Sequence, residues 1–308
     1  MFLLDHKAIR FLASLRFPES KAGNAHYPAT IGLTAEEREF FMVNGYLVRQ
    51  GVIGSGMLDR AVKYAWSQLP ETYRPDNPST WRGKITDSLC TRSINGRKGR
   101  VKLRECVRRE RWLYEMIAAN PCILSTVQGL IGRERTAPLR YVRGIYPIFP
   151  ARIARFKRER PHTDGHHFLV GTLSYLTDVA VGGGGFCVWP GSHLAMRSGF
   201  THEAGPAWEP TYHRELYGFT LRNAPVEIVG PPGTVIFWHH RLAHAAGFNR
   251  SSRVRLALLA DFHSTDIAQL ESTRAGEDPW AHWKIGQTSE QEPSPAGAAS
   301  AEFTVREV

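Results

Sequence analysis

The sequence predicts an α+β protein with a mainly β core, helices first and a sandwich or barrel of short strands after them. Three observations predict it. Between residues 34 and 131 the apolar residues recur at helical spacing, with capping and breaking signals at the ends of each run. After Pro138 the pattern changes to short β-rich runs separated by Gly and Pro. The chain has 308 residues and is 42% hydrophobic, enough to bury a sizeable core.

Taken in order, residues 1–32 form a leader whose one periodic stretch, Ile9, Leu12 and Leu15, stops at Pro18. Thr34 and Glu37 make a capping box, and Phe40 and Phe41 start the apolar face of a helix that Asn44-Gly45 ends. Tyr46-Leu47-Val48 reads as a strand, and Val52-Ile53 leads into a second helix over Leu58 to Leu69. Pro70 to Trp81 is a Pro-rich loop of a length that often covers an active site. Trp112 to Ile131 carries a helical stripe that Asn120-Pro121 divides into two helices.

The strands expected after Pro138 are Leu139–Tyr146, Phe168–Leu176, Gly185–Trp189, Pro225–Val229, Thr234–Trp238 and Arg253–Phe262. The run Gly182 to Gly185 is followed by neither a Lys-Ser/Thr pair nor a helix, so it reads as a turn rather than a phosphate cradle. Residues 33–285 are expected to form one domain, and residues 286–308, poor in apolar groups, a disordered tail.

Composition narrows the function classes. No apolar run approaches the roughly 20 residues of a membrane span. The N-terminus brings Asp5 and Lys7 too early for a secretory signal, so a soluble cytoplasmic protein is expected. Cys90, Cys106, Cys122 and Cys187 form no C-x-x-C pair and read as small, partly buried thiols. The net charge of +10 invites a nucleic-acid partner, and much of the excess lies in Arg92 to Arg111. That run lacks interleaved aromatics for stacking bases, so it reads as a solvated loop leading into a helix. Its alternative use is attraction of an anionic substrate or carrier.

The chemistry lies between Pro161 and Arg255. Side chains at i and i+2 of a strand share a face, so His162 and Asp164 project together and Thr163 points away. An imidazole and a carboxylate can then bind one metal, and His239, His240 and His244 each offer a third donor. Two His and one carboxylate on one face leave the opposite positions open, which suits Fe(II). Catalytic zinc more usually takes three His, two His with Glu, or a set containing Cys.

At these residues the chain resembles the phytanoyl-CoA dioxygenase family of Fe(II)/2-oxoglutarate oxygenases. The resemblance runs from Leu33 to Val48, through His162-Thr163-Asp164-Gly165 and Gly184 to His193, and closes on Gly233 to Ser251. It implies a double-stranded β-helix flanked by α-helices. It implies His162, Asp164 and His244 as metal ligands, Arg255 as the grip on the far carboxylate of 2-oxoglutarate, and Ser174 as a further co-substrate contact. A planar guanidinium fork suits that carboxylate better than a Lys point charge does. Where the family commonly has Ser two residues past the distal His, this chain has Ala246, and where it often has Pro, this chain has Phe248. Retention of Asp164 points to hydroxylation or another oxidation, since related halogenases replace that carboxylate with a small residue.

Other residues carry a bland reading beside a sharp one. His166 and His167 line a pocket or are solvated, and His193 in the Pro-Gly-Ser-His turn is structural. Trp189 is a pocket wall or a core residue, and Asp178 a turn cap. The expectation is an oxygenase using Fe(II), 2-oxoglutarate and O2 on a small molecule, with a lid drawn from residues 70–100 or 195–225. The rivals are an oxidative demethylase of nucleic acid and a metal-binding β-barrel without catalysis.

Overall fold

The computed structural model describes residues 26–81, 101–150, 161–196, 199–206, 210–276 and 278–286. Most of the expected leader and all but the first residue of the expected tail lie outside these ranges, as do Cys90, residues 92–100 of the basic run and residues 82–100 of one expected lid.

The first helix, α1 (Ala35–Asn44), is capped as the sequence predicts: Glu37 N–H donates to Thr34 Oγ1 at 3.1 Å and Thr34 N–H to Glu37 Oε2 at 2.8 Å. Gly45 ends it in the left-handed region at φ 79°, and β2 (Tyr46–Gln50) follows at once. Glu37 is buried, and Arg49 of β2 satisfies it with a two-pronged grip at 2.9 and 2.7 Å. The remaining helices of this half are α2 (Ser55–Ser67), α3 (Glu105–Arg109), α4 (Arg111–Ala118) and α5 (Pro121–Ile131). Asn120 separates the last two as expected, its side chain accepting from Cys122 N–H and Ile123 N–H at 3.1 Å.

The strands build two sheets. The larger has the order β1-β2-β9-β4-β11-β3, from β1 (Tyr27–Pro28), β2, β3 (Val142–Ile145), β4 (Val170–Tyr175), β9 (Val235–His239) and β11 (Ala257–Phe262). All its pairs are antiparallel except β1 with β2. The smaller is β10-β5-β8, from β5 (Phe186–Val188), β8 (Val226–Ile228) and β10 (His244–Ala246). A separate ribbon pairs β6 (Phe200–His202) with β7 (Gly205–Pro206).

The period of two along each large-sheet strand explains why both faces are buried. Leu47, Val170, Val235, Phe237, Leu258, Ala260 and Phe262 join the helices in one core. Tyr46, Val48, Leu173, Tyr175, Ile236, Trp238, Ala257 and Leu259 turn to the other side and meet Phe186, Val188 and Ile228 of the small sheet. The result is a double-stranded β-helix with helices outside, and the second core lines its mouth. Gly171 is required there, because any Cβ would collide with the Trp238 ring.

Both segments expected to supply a lid are packed where they are described. The described part of residues 195–225 contains β6, β7 and α7 (Pro210–Arg222). The helix α7 is packed down through Tyr212, Leu216 and Thr220, spaced i, i+4, i+8 and all buried. The Pro70–Trp81 loop is likewise packed. Tyr73 and Trp81 lie against Phe149, and Trp81 also against Trp66. No helix among the described residues is long and apolar enough to cross a membrane.

Candidate metal centre

His162 and His244 are backbone partners. His162 N–H donates to His244 C=O at 3.0 Å and His244 N–H to His162 C=O at 2.8 Å, an antiparallel bridge that extends the small sheet beyond β10. Paired residues project to the same face of a sheet, so the two rings come together at 4.6 Å between centroids. Asp164, two residues beyond His162, joins them with Oδ2 3.6 Å from His244 Nε2. One donor atom from each of the three lies within 4.8 Å of the others, the one such cluster among the described residues.

The electrostatics prepare these groups as donors. His244 Nδ1 faces Leu242 C=O at 2.9 Å, so that nitrogen carries the proton and Nε2 presents its lone pair toward Asp164. Burial pushes the His244 imidazole down to about 4, against the pull of Asp164, so the ring is neutral at physiological pH. Burial opposes charge on Asp164, but Arg143, with His244 and His162, outweighs it and holds the carboxyl well below the usual carboxylate range. Two imidazoles and one carboxylate fit a divalent cation of the first transition row, with open positions for further ligands.

These groups open on a cavity of about 160 Å³. Leu173, Phe186, Trp238 and Leu259 supply its apolar wall, and Lys102, Arg143, Tyr146 and Arg255 its polar one. Phe186 and Trp238 flank the His244 ring at 5.1 and 5.7 Å. Arg255 is buried, with Nε donating to Gly184 C=O at 2.9 Å and one terminal nitrogen to Tyr146 C=O at 3.3 Å. Its guanidinium lies over the Tyr175 ring. The Tyr175 hydroxyl is already committed, donating to Ile228 C=O at 2.6 Å and accepting from Phe186 N–H at 2.8 Å. Ala246, on the same face as His244, also borders the cavity and brings no hydroxyl.

Ser174 is a correction. Its neighbours Leu173 and Tyr175 face the cavity side, so strand alternation turns Ser174 to the helical side, and it is not among the lining residues. His239 and His240 are not in the donor cluster either. They stack on each other at 4.5 Å and on Trp283, in a buried group with His193 and Trp280. His166 bonds Asp261, and His167 pairs with Glu271 at 3.1 Å. Trp189 is buried in a third small core and borders a different cleft from the one at His244. The Gly182–Gly185 run is a turn, its amides at Gly182 and Gly185 bonded to Glu227. In the described part of the basic run, Arg108 lies over the Tyr141 ring and Arg104 over that of Tyr146.

Sequence reasoning missed Arg143, Asp261, Trp238 and Tyr212. Trp238 and Asp261 carried a usable signal, since each lies two residues from another inward position on its strand, Ile236 and Leu259.

Comparison with known proteins agrees with this geometry. The family model described as Phytanoyl-CoA dioxygenase (PhyH) matches residues 149–257, which hold all three donors and Arg255. The human peroxisomal phytanoyl-CoA dioxygenase is 21% identical over 257 residues, spanning 78% of this chain and 71% of its own. Among solved structures, the non-heme alpha ketoglutarate dependent carbocyclase SnoK from nogalamycin biosynthesis superposes with a TM-score of 0.52 at 18% identity, over 82% of this chain and 97% of that one. The epimerase SnoN in complex with Fe3+, alpha ketoglutarate and nogalamycin RO gives 0.51 at 19% identity, over 79% and 91%. Fold and donor set together place the chain among the 2-oxoglutarate-dependent non-haem iron oxygenases. Over residues 149–257 it is similar to the phytanoyl-CoA dioxygenase family.

Proposed function

We propose that this protein oxidises a small-molecule substrate with Fe(II), 2-oxoglutarate and O2, and that residues 33–285 carry the whole reaction. The observation that carries the reading is the meeting of His162, Asp164 and His244 at one cavity that also contains Arg255. His162, Asp164 and His244 would hold the iron, and Arg255 the far carboxylate of 2-oxoglutarate. Bound there, the iron and its co-substrate supply the oxidising power, with release of succinate and CO2.

The chain's own residues do the rest. The His162–His244 bridge fixes the spacing of two donors before any ligand arrives, and the Nδ1 proton on His244 fixes which nitrogen faces the cavity. Leu173, Phe186, Trp238 and Leu259 keep that side of the cavity dry, which strengthens each electrostatic contact within it. Arg255 is held from behind by two carbonyls, so its fork is oriented before a carboxylate meets it. The fold-relatives are named a carbocyclase and an epimerase, so hydroxylation is one of several outcomes open to this site. A small organic substrate accords with the nogalamycin compound bound by the epimerase. A cytosolic location accords with Cys106, Cys122 and Cys187 standing outside any disulfide.

The direct test supplies the purified protein with Fe(II), 2-oxoglutarate and O2 and measures succinate across a panel of candidate small molecules. Succinate should form and rise with the true substrate, and His162→Ala and Asp164→Ala should abolish it. Equal turnover in both variants would end the proposal.

A further inference from the structure

Arg143 sits where regular strand geometry would not aim it. In the β3–β11 pair, Val142 faces Ala260 and Gly144 faces Leu259, so two steps along β3 match one along β11. Arg143 is the extra residue of a β-bulge, a device that redirects a side chain. Gly144 makes the bulge possible: its φ is +146°, and a Cβ there would collide with the Leu103 carbonyl. The redirected guanidinium reaches the cavity and grips Asp164 by both oxygens, at 2.9 Å to Oδ2 and 3.1 Å to Oδ1. Its rear is held by Asp261 of β11, 3.4 Å from the same nitrogen that meets Oδ2. Asp261 is tied in turn by His166 Nε2 at 2.7 Å.

We propose that Arg143 and Asp261 form a positioning pair that fixes the rotation of the Asp164 carboxylate so that Oδ2 faces His244 and a shared cation. The proposal rests on the reading of His162, Asp164 and His244 as metal ligands and adds residues which that reading does not contain. An aspartate on a loop has two side-chain torsions to settle, and a planar fork on both oxygens settles them together. Asp261 serves two ends: it braces the fork from the next strand, and its negative charge offsets the guanidinium beside an incoming cation. Partners of this kind commonly change metal affinity by about 10- to 100-fold when removed.

The test is cobalt(II) titration of the full-length protein, reading both affinity and the visible ligand-field spectrum, with thermal melting as the check on folding. The variants are Arg143→Lys, which keeps the charge but loses the fork, and Asp261→Asn, which keeps the shape but loses the counter-charge. Asp164→Ala controls for the site. Both positioning variants should stay folded and bind cobalt about tenfold or more weakly, with an altered spectrum. The double variant should lose less than the product of the two single losses, because both act through one carboxylate. Wild-type affinity and spectrum in both single variants would overturn the positioning role alone. A wild-type protein that takes up no cobalt would overturn the ligand assignment, and this proposal with it.

Discussion

Tyr212 holds Thr163. From α7 its hydroxyl accepts the Thr163 backbone N–H at 2.9 Å and shares a second hydrogen bond with Thr163 Oγ1, also at 2.9 Å. Thr163 stands between His162 and Asp164, so a helix outside the cavity steers the residues on both sides of it. Tyr212→Phe leaves a buried amide without its partner, which costs about 1–3 kcal/mol of stability. Urea unfolding should show that loss, and cobalt(II) titration should show weaker binding as the triplet loosens. Unchanged metal affinity would mean the contact serves the fold alone.

Arg255 should separate co-substrate binding from metal binding. Arg255→Lys keeps a positive charge and loses the planar fork, and hydrogen bonds to charged groups contribute about 1.5–3 kcal/mol. The KM for 2-oxoglutarate should therefore rise by roughly 10- to 100-fold. Cobalt affinity measured without 2-oxoglutarate should stay near the wild-type value. A parallel fall in both quantities would show that Arg255 supports the donor cluster instead.

Ala246 offers a gain-of-function test. It borders the cavity on the same face of β10 as His244, so Ala246→Ser adds a hydroxyl to the cavity proposed to hold 2-oxoglutarate. One added hydrogen bond contributes about 1 kcal/mol, and KM for 2-oxoglutarate should fall up to about tenfold. A rise in KM would show that the space at Ala246 is already filled by another group.

The buried histidine group makes stability depend on pH. Burial pushes His193 down to about 3 and takes His239 and His240 well below their ordinary value. Below pH about 6.5 the unfolded chain binds protons that the folded rings refuse. Stability therefore falls as pH drops through that point, by up to about 1.4 kcal/mol per pH unit for each histidine. For His193 the loss continues down to about pH 3. The lowered Asp164 carboxyl adds its own loss only once the pH falls into the ordinary carboxylate range. Urea midpoints taken from pH 7.5 to 5 should decline steadily, and a flat profile across that window would contradict the burial of these rings.

Much of this architecture was readable before any coordinates, for reasons specific to particular residues. Thr34 and Glu37 advertise a helix start because the reciprocal bonds depend on their spacing alone. The strands of the core follow from apolar runs between Gly and Pro, and α5 begins where Asn120-Pro121 says it should. That His162 and Asp164 come together follows from the period of two. What stayed hidden depends on three-dimensional exceptions to such rules. Arg143 was invisible because a bulge aims it, and a bulge depends on the register of two strands far apart in sequence. The helix α7 was missed because its buried stripe, Tyr212, Leu216 and Thr220, is thin and one member is polar. Ser174 was misread because the side of a strand facing the cavity depends on where the strand starts, and Leu173 occupies that side.

The direct backbone bridge between His162 and His244 couples the centre to the history of the chain. Neither half of the polypeptide can assemble a partial version: a nascent chain ending before residue 244 lacks both the third donor and the strand that aligns the first. The complete cluster of three donor groups therefore exists only once His162 and His244 are paired. Any cation that binds there stabilises the folded protein by an amount that grows with the logarithm of its concentration over its dissociation constant.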